Sequence, residues 1–165
     1  MYGDPLPHRQ TVRIADMAIS SDPRAELITH ALGSCIGVSA YDPVRQIGGL
    51  IHIMLPLSKN SPDKARNNPL KYVDTGIPLF FKELFKAGAQ RDTLEIKLAG
   101  GAMLIDKRER FKIGERNYTI LRKLLWKNDL LIAAEDIGGN TSRTMSLFIE
   151  TGRVVVRSQT GEIEL

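Results

Sequence analysis

Between Glu26 and Leu55 three short apolar runs follow one another, separated only by brief turn signals. ELITHAL runs into Gly33-Ser34, CIGVSAYD stops at Asp42-Pro43, and IGGLIHIML stops at Pro56. Runs this closely spaced read as consecutive strands, and short turn-rich links make sequential antiparallel pairing the economical arrangement. The stretch also holds the single cysteine, Cys35, and one of three histidines, His52.

A register follows from the turns. Centring the first on Gly33 and the second on Val44-Arg45, with Asp42 opposite Ile47, puts Thr29 opposite Gly37 and Gly37 opposite His52. Directly opposed residues share a sheet face, as do alternate residues along one strand. Thr29, Cys35, Gly37 and His52 are therefore expected on one face, with His30 on the other. Gly37 has no side chain, which gives the His52 imidazole room to lean toward Thr29 while its other edge meets Cys35.

A thiol, an imidazole and a group that orients the imidazole suit acyl transfer. A cysteine thiol ionises near pH ~8.5, so it needs a neighbouring base or stabilising amides to react at neutral pH. His52 would take the thiol proton and later pass it to the leaving group. Thr29, through its hydroxyl or carbonyl, would fix the tautomer. The backbone amides of Ser34 and Cys35, at the Gly-Ser turn, are candidates for an oxyanion hole. The same residues also suit a plainer reading: a small buried cysteine, a core histidine bonded to a carbonyl, and a glycine marking a bulge. The residues alone leave both readings open.

LGSCIGVSAYDP followed by GGLIHIMLP resembles the signature of the CheD family, the chemoreceptor glutamine deamidases of bacterial and archaeal chemotaxis. The likeness continues through KYVDTGIPLFFKEL, KLAGGAML, IGERN, AAEDIGGNTSR and ETGRVVVR, from about Ile14 to Arg157. It implies a Cys-His-Thr triad, whose members fall on Cys35, His52 and Thr29. It implies deamidation of glutamine side chains on the long cytoplasmic helices of chemoreceptors, with methylesterase activity as a secondary function. It further implies layered sheets flanked by helices, α/β/β/α, akin to the cysteine hydrolase domain of cytotoxic necrotizing factor toxins. CheD proteins in some organisms partner CheC, a CheY-phosphate phosphatase, so an alternative role is that of a non-catalytic regulator of CheC. At His30-Ala31 the chain departs from the more apolar or glycine-containing pair of many members.

Composition bounds the other classes. A length of 165 residues suits one domain, expected over residues 11–165 behind a loose tail at 1–10 that holds Pro5 and Pro7. One cysteine forms no internal disulfide, no Cys/His cluster has zinc spacing, and neither metal nor cofactor is expected. A net charge of +4, with 19 acidic residues among 23 basic ones, reads as a solvated surface and not as a nucleic-acid interface. No leader pattern or membrane-length apolar run is visible, so a cytoplasmic location is expected.

Elsewhere, Thr11 to Ile19 reads as a bulged strand or two short strands. LSKNSPDKARNNP is either a flexible surface loop or a border of the site, since it leaves the strand carrying His52. Lys71 to Lys86 is helical, kinked or begun at Pro78 and ended by Gly88; a second helix spans about Glu115 to Lys127 behind the polar stretch DKRERFKIGE. Leu94 to Ala99 and Leu130 to Ile137 read as strands, the second buried, and Gly100-Gly101 as a tight turn or close backbone approach. A last pair, Met145 to Glu150 and Arg153 to Arg157, joins at Thr151-Gly152. The order of elements gives a mixed α/β (α+β) domain with antiparallel pairing dominant. Glu135, Asp136, Asn140 and Arg143 cluster near one turn, where capping and ion pairing explain them without a catalytic role.

Overall fold

The computed structural model describes residues 8–104 and 112–165. Within them ten strands form two five-stranded sheets. The first sheet contains β1 (His8–Thr11), β3 (Ala25–Leu32), β8 (Arg143–Phe148), β9 (Val154–Ser158) and β10 (Gly161–Glu164), in the order β1-β3-β8-β9-β10. The second contains β2 (Asp16–Ser20), β4 (Ile36–Asp42), β5 (Ile47–Ile53), β6 (Glu95–Gly100) and β7 (Ile132–Ile137), in the order β2-β5-β4-β6-β7. β1 with β3 and β6 with β7 are the parallel pairs; the other pairings are antiparallel. The layered α+β arrangement with mainly antiparallel mixed sheets is therefore the one the chain adopts.

Alternation along β4 explains how both faces of the second sheet are buried. Ile36, Val38 and Ala40 pack with Phe80 and Leu84 of α2 (Val73–Lys86) and with Leu121 and Leu125 of α3 (Ile113–Lys127). Tyr41, on the other face, joins Leu27, Met145, Leu147 and Val156 of the first sheet. The glycine pair in IGGLIH serves both contacts. A Cβ on Gly48 would press Ile149 and Leu147, and one on Gly49 would press the Phe80 ring. Phe80 itself is fully buried, which contributes about 1.5–3 kcal/mol.

The β4–β5 hairpin has the register its turn requires, with Asp42 opposite Ile47 and Gly37 opposite His52. Asp42 closes that turn by accepting from the amides of Val44 and Arg45. The expected β3–β4 hairpin does not form. Thr29 is opposite Met145 of β8, not Gly37, and β3 and β4 belong to different sheets. A register shift between Thr29 and Leu32, with Ala31 at φ 58°, marks a bulge in β3, after which Leu32 pairs once more with Arg143 of β8. The chain then crosses from one sheet to the other between Leu32 and Ile36.

Other expectations shift in similar ways. His8–Thr11 is a strand, so the tail gives way at His8, whose amide donates to the Arg24 carbonyl at 2.8 Å. Residues 1–7 lie outside the described residues, as do residues 105–111, which take in the first six residues of the polar stretch DKRERFKIGE. Thr11 to Ile19 divides into two short strands in different sheets, turning at Ala15 (φ 57°). Pro78 lies inside α2 on its exposed side and does not begin the helix; Gly88, at φ 115°, follows its end. LSKNSPDKARNNP includes a short helix, α1 (Pro62–Asn67), and Ser58 is fastened to Asp74 of α2 by two hydrogen bonds. β7 is a half-exposed edge strand, not a buried one.

Candidate active site

Of the four links that pass between the sheets among the described residues, β1–β2 and β3–β4 meet at one place, where Ile14 and Cys35 line the same cleft. The β1–β2 link passes through Val12, whose amide donates to the Ile28 carbonyl, and Ala15, whose amide donates to the His52 carbonyl. Thr29 on β3 and His52 on β5 are both fully buried and face each other across the interface of the sheets. Their side chains are in hydrogen-bond contact, Oγ1 to Nδ1 at 2.7 Å. Thr29 therefore reaches His52 from the opposite sheet rather than along a shared face.

That contact assigns the tautomer. The Thr29 hydroxyl has one proton and donates it to the Val12 carbonyl at 2.7 Å. It must then accept from His52, so Nδ1 carries the ring proton and Nε2 holds the lone pair. Nε2 is buried and meets no hydrogen-bond partner among the described residues. Burial holds the His52 pKa down from 6.5 to about 4, so the ring is neutral at neutral pH.

Cys35 is half-buried and stands two residues before Gly37, which directly opposes His52. Cys35 packs toward the core between the sheets, on the same side as His52. Cys35 lies just before the last β4–β5 pair, Ile36 with Ile53, and continues the alternation of β4 toward the face that carries His52. Gly37 between them is closely packed: a Cβ there would lie 2.9 Å from the Met145 sulfur and 3.0 Å from Leu32 Cδ1, both ends of flexible side chains. His30 points away and is exposed, as the alternation requires.

The turn before Cys35 is pinned at three successive carbonyls. Gly33 O accepts from the Ala102 amide at 2.8 Å, Ser34 O from Asn117 Nδ2 at 3.0 Å, and Cys35 O from the Gly101 amide at 2.8 Å. The Gly100-Gly101 pair is accordingly a close backbone approach. Gly100 has φ 113°, and a Cβ there would overlap the Cys35 carbonyl oxygen. Gly100→Ala is expected to destabilise the protein by about 3 kcal/mol or more, lowering the melting temperature by about 10 °C. A melting curve superimposable on the parent's would show that this approach is not constrained.

Cys35, Ser34 and Gly33 form one wall of a cleft of about 490 Å³. Ile14, Met54, Met103, Leu104 and Ile113 make it largely apolar, with Tyr118, Lys112 and Glu115 supplying polar groups. Among the described residues LSKNSPDKARNNP contributes nothing to this lining; from that side it is Met54 that reaches the cleft. Glu135 accepts from the Tyr118 hydroxyl at 2.7 Å and so ties β7 to α3. Asp136 holds the largely buried Arg143 at 2.9 Å and ties β7 to β8. Asn140 is exposed.

Asn117 was not singled out by its residue type. It is fully buried, its Nδ2 donates to Ser34 O and Met54 O, and its Oδ1 has no partner among the described residues. The available signal was an asparagine on the face of α3 that also carries Gly114, Leu121 and Leu125. No group of His, Cys, Asp and Glu among the described residues is placed to hold a metal. No described helix is long and apolar enough to cross a membrane.

The CheD family profile, described as CheD chemotactic sensory transduction, matches residues 54–158. The chain belongs to the CheD family. That match begins beyond His52, but CheD relatives align over most of the chain. The probable chemoreceptor glutamine deamidase CheD 1 of Syntrophus aciditrophicus (strain SB) is 46% identical over 152 residues, covering 92% of this chain and 95% of its own. The probable chemoreceptor glutamine deamidase CheD 2 of Anaeromyxobacter dehalogenans (strain 2CP-C) is 44% identical over 148 residues, 90% of this chain and 93% of its own. A CheD protein of the same description from Solibacter usitatus (strain Ellin6076) is 45% identical over 154 residues, 93% of this chain and 91% of its own.

Proposed function

We propose that this chain deamidates glutamine side chains of chemoreceptors to glutamate by thiol acyl transfer, with Cys35, His52 and Thr29 as its triad. The observation that carries the reading is the His52 ring. Its Nδ1 proton is committed to Thr29, and the basic Nε2 is left without a described partner on the side of the sheet where Cys35 lies at the cleft wall. The names of the relatives supply the substrate class.

The carboxamide enters the cleft, its methylenes against the apolar wall. His52 Nε2 takes the Cys35 thiol proton as the sulfur attacks the carboxamide carbon. The amides of Ser34 and Cys35 belong to a turn whose carbonyls are already held, and they are the donors offered to the developing oxyanion. The C–N bond breaks, the His52 proton leaves with the nitrogen as ammonia, and a thioester remains. His52 then deprotonates a water that attacks the thioester; the C–S bond breaks and the proton returns to the Cys35 sulfur. A glutamyl methyl ester offers the same acyl carbon, so methylesterase activity is chemically compatible with this site.

The test mixes the protein with cytoplasmic fragments of chemoreceptors, measures ammonia and maps the fragments by mass spectrometry. The expected result is glutamate at specific glutamine positions, one ammonia for each conversion and no cleaved chain. Cleaved fragments would make the protein a peptidase instead. Absence of any conversion would overturn the deamidase reading and leave a binding role, such as one toward a CheC-type phosphatase.

A further inference from the structure

Asn117 occupies a gap in the backbone ladder beside Cys35 and His52. The last paired residues of β4 and β5 at this end are Ile36 and Ile53. Past them, the cysteine turn and the end of the histidine strand are bridged by Asn117. Its Nδ2 donates to Ser34 O, the residue before Cys35, and to Met54 O, two residues after His52, at 3.0 and 3.1 Å. Both partners are carbonyl oxygens, so the orientation of the carboxamide is fixed; the flipped amide would set Oδ1 against two acceptors.

The bridge has a cost. Oδ1 is buried without a partner among the described residues, which an apolar side chain on this face of α3 would avoid. Asn117 does not line the cleft, and its two donated bonds end on the segments that carry the nucleophile and the base. We infer that Asn117 is a positioning residue that sets the Cys35 thiol against Nε2 of His52. The inference rests on the deamidase reading for its purpose but is tested without a substrate.

The experiment is a double-mutant cycle read by alkylation. Rates of Cys35 modification by iodoacetamide at pH 7 are measured for the parent, Asn117→Ala, His52→Ala and the double variant, with folding checked by circular dichroism and melting. If Asn117 acts through the thiol–imidazole pair, each single variant slows alkylation by about tenfold or more, and the double variant is no slower than the slower single. Independent, multiplying effects, or a parental rate in Asn117→Ala, overturn the inference. Should Asn117→Ala fail to fold, Asn117→Gln, which keeps the amide donors at an altered reach, enters the same cycle, and independence from His52 there overturns it equally. Deamidation is measured alongside, with kcat expected to fall by about 100-fold and KM to change little. Coupled alkylation in a parent protein that converts no glutamine would sink the deamidase reading alone; conversion with uncoupled alkylation would sink the role of Asn117 alone.

Discussion

Cys35→Ala is expected to end glutamine conversion, a loss on the order of 10⁴-fold or more, while the melting temperature stays within a few degrees of the parent's. The chain has no second cysteine to substitute as nucleophile. Nor is the backbone around the site dependent on the thiol. The carbonyls of Gly33, Ser34 and Cys35 are held by Ala102, Asn117 and Gly101 whatever side chain residue 35 carries. Removing one half-buried sulfur forfeits about 1 kcal/mol of burial, worth about 2–4 °C in a domain of this size. Cys35→Ser sharpens the comparison, because a neutral imidazole ionises a hydroxyl far less readily than a thiol. The rates are read as ammonia release with mass mapping, and stability as thermal unfolding. Conversion by Cys35→Ala at a tenth of the parental rate would remove the thiol from the chemistry.

The sequence encodes the parity of this site more plainly than its partners. Period-two alternation and the Asp42 turn are local, and they set Gly37 opposite His52 with Cys35 on the same side. Thr29 was expected to meet His52 and does, but from a strand of the other sheet. Alternation says which way a side chain points, whereas the sheet it joins depends on where the chain crosses. That crossing follows a bulge where Ala31 is in a left-handed conformation, which alanine rarely adopts and its residue type does not announce. Asn117 was illegible for another reason: its partners are main-chain carbonyls 83 and 63 residues away, and main-chain atoms leave no mark in a motif. β1 escaped notice because HRQT is wholly exposed and paired by backbone to one edge of β3. Just before β7, an edge strand of the second sheet, Leu131, within an apolar run expected to be buried, is 80% exposed. Apolar runs identify strands better than they identify interior ones.

His52→Ala is expected to slow conversion by about 10³-fold and to change the pH dependence of both rate and stability. Thr29 keeps its bond to the Val12 carbonyl in this variant, so no buried donor is orphaned. In the parent, burial puts the His52 pKa at about 4 rather than 6.5. His52, the proposed base, therefore stays unprotonated down to mildly acidic pH, and kcat/KM should remain near its neutral value at pH 5.5 and fall as pH drops through about 4. Stability follows from the same shift. Below about pH 6.5 the unfolded chain binds a proton at His52 that the folded chain refuses until about pH 4. The parent accordingly loses stability as pH falls across that window, by up to about 1.4 kcal/mol per unit, and His52→Ala should lack that slope in urea titrations. Asp42 does not confuse the reading. Burial pushes its carboxyl up, but bonds from the Gln90 amide, Thr93 and Arg45 outweigh this and bring it from 3.8 to about 2, so its contribution is lost only below the window. An acid limb centred between pH 6 and 7 would mean that the His52 ring titrates as a solvated imidazole. The buried, Thr29-anchored base would then be the wrong description of the site.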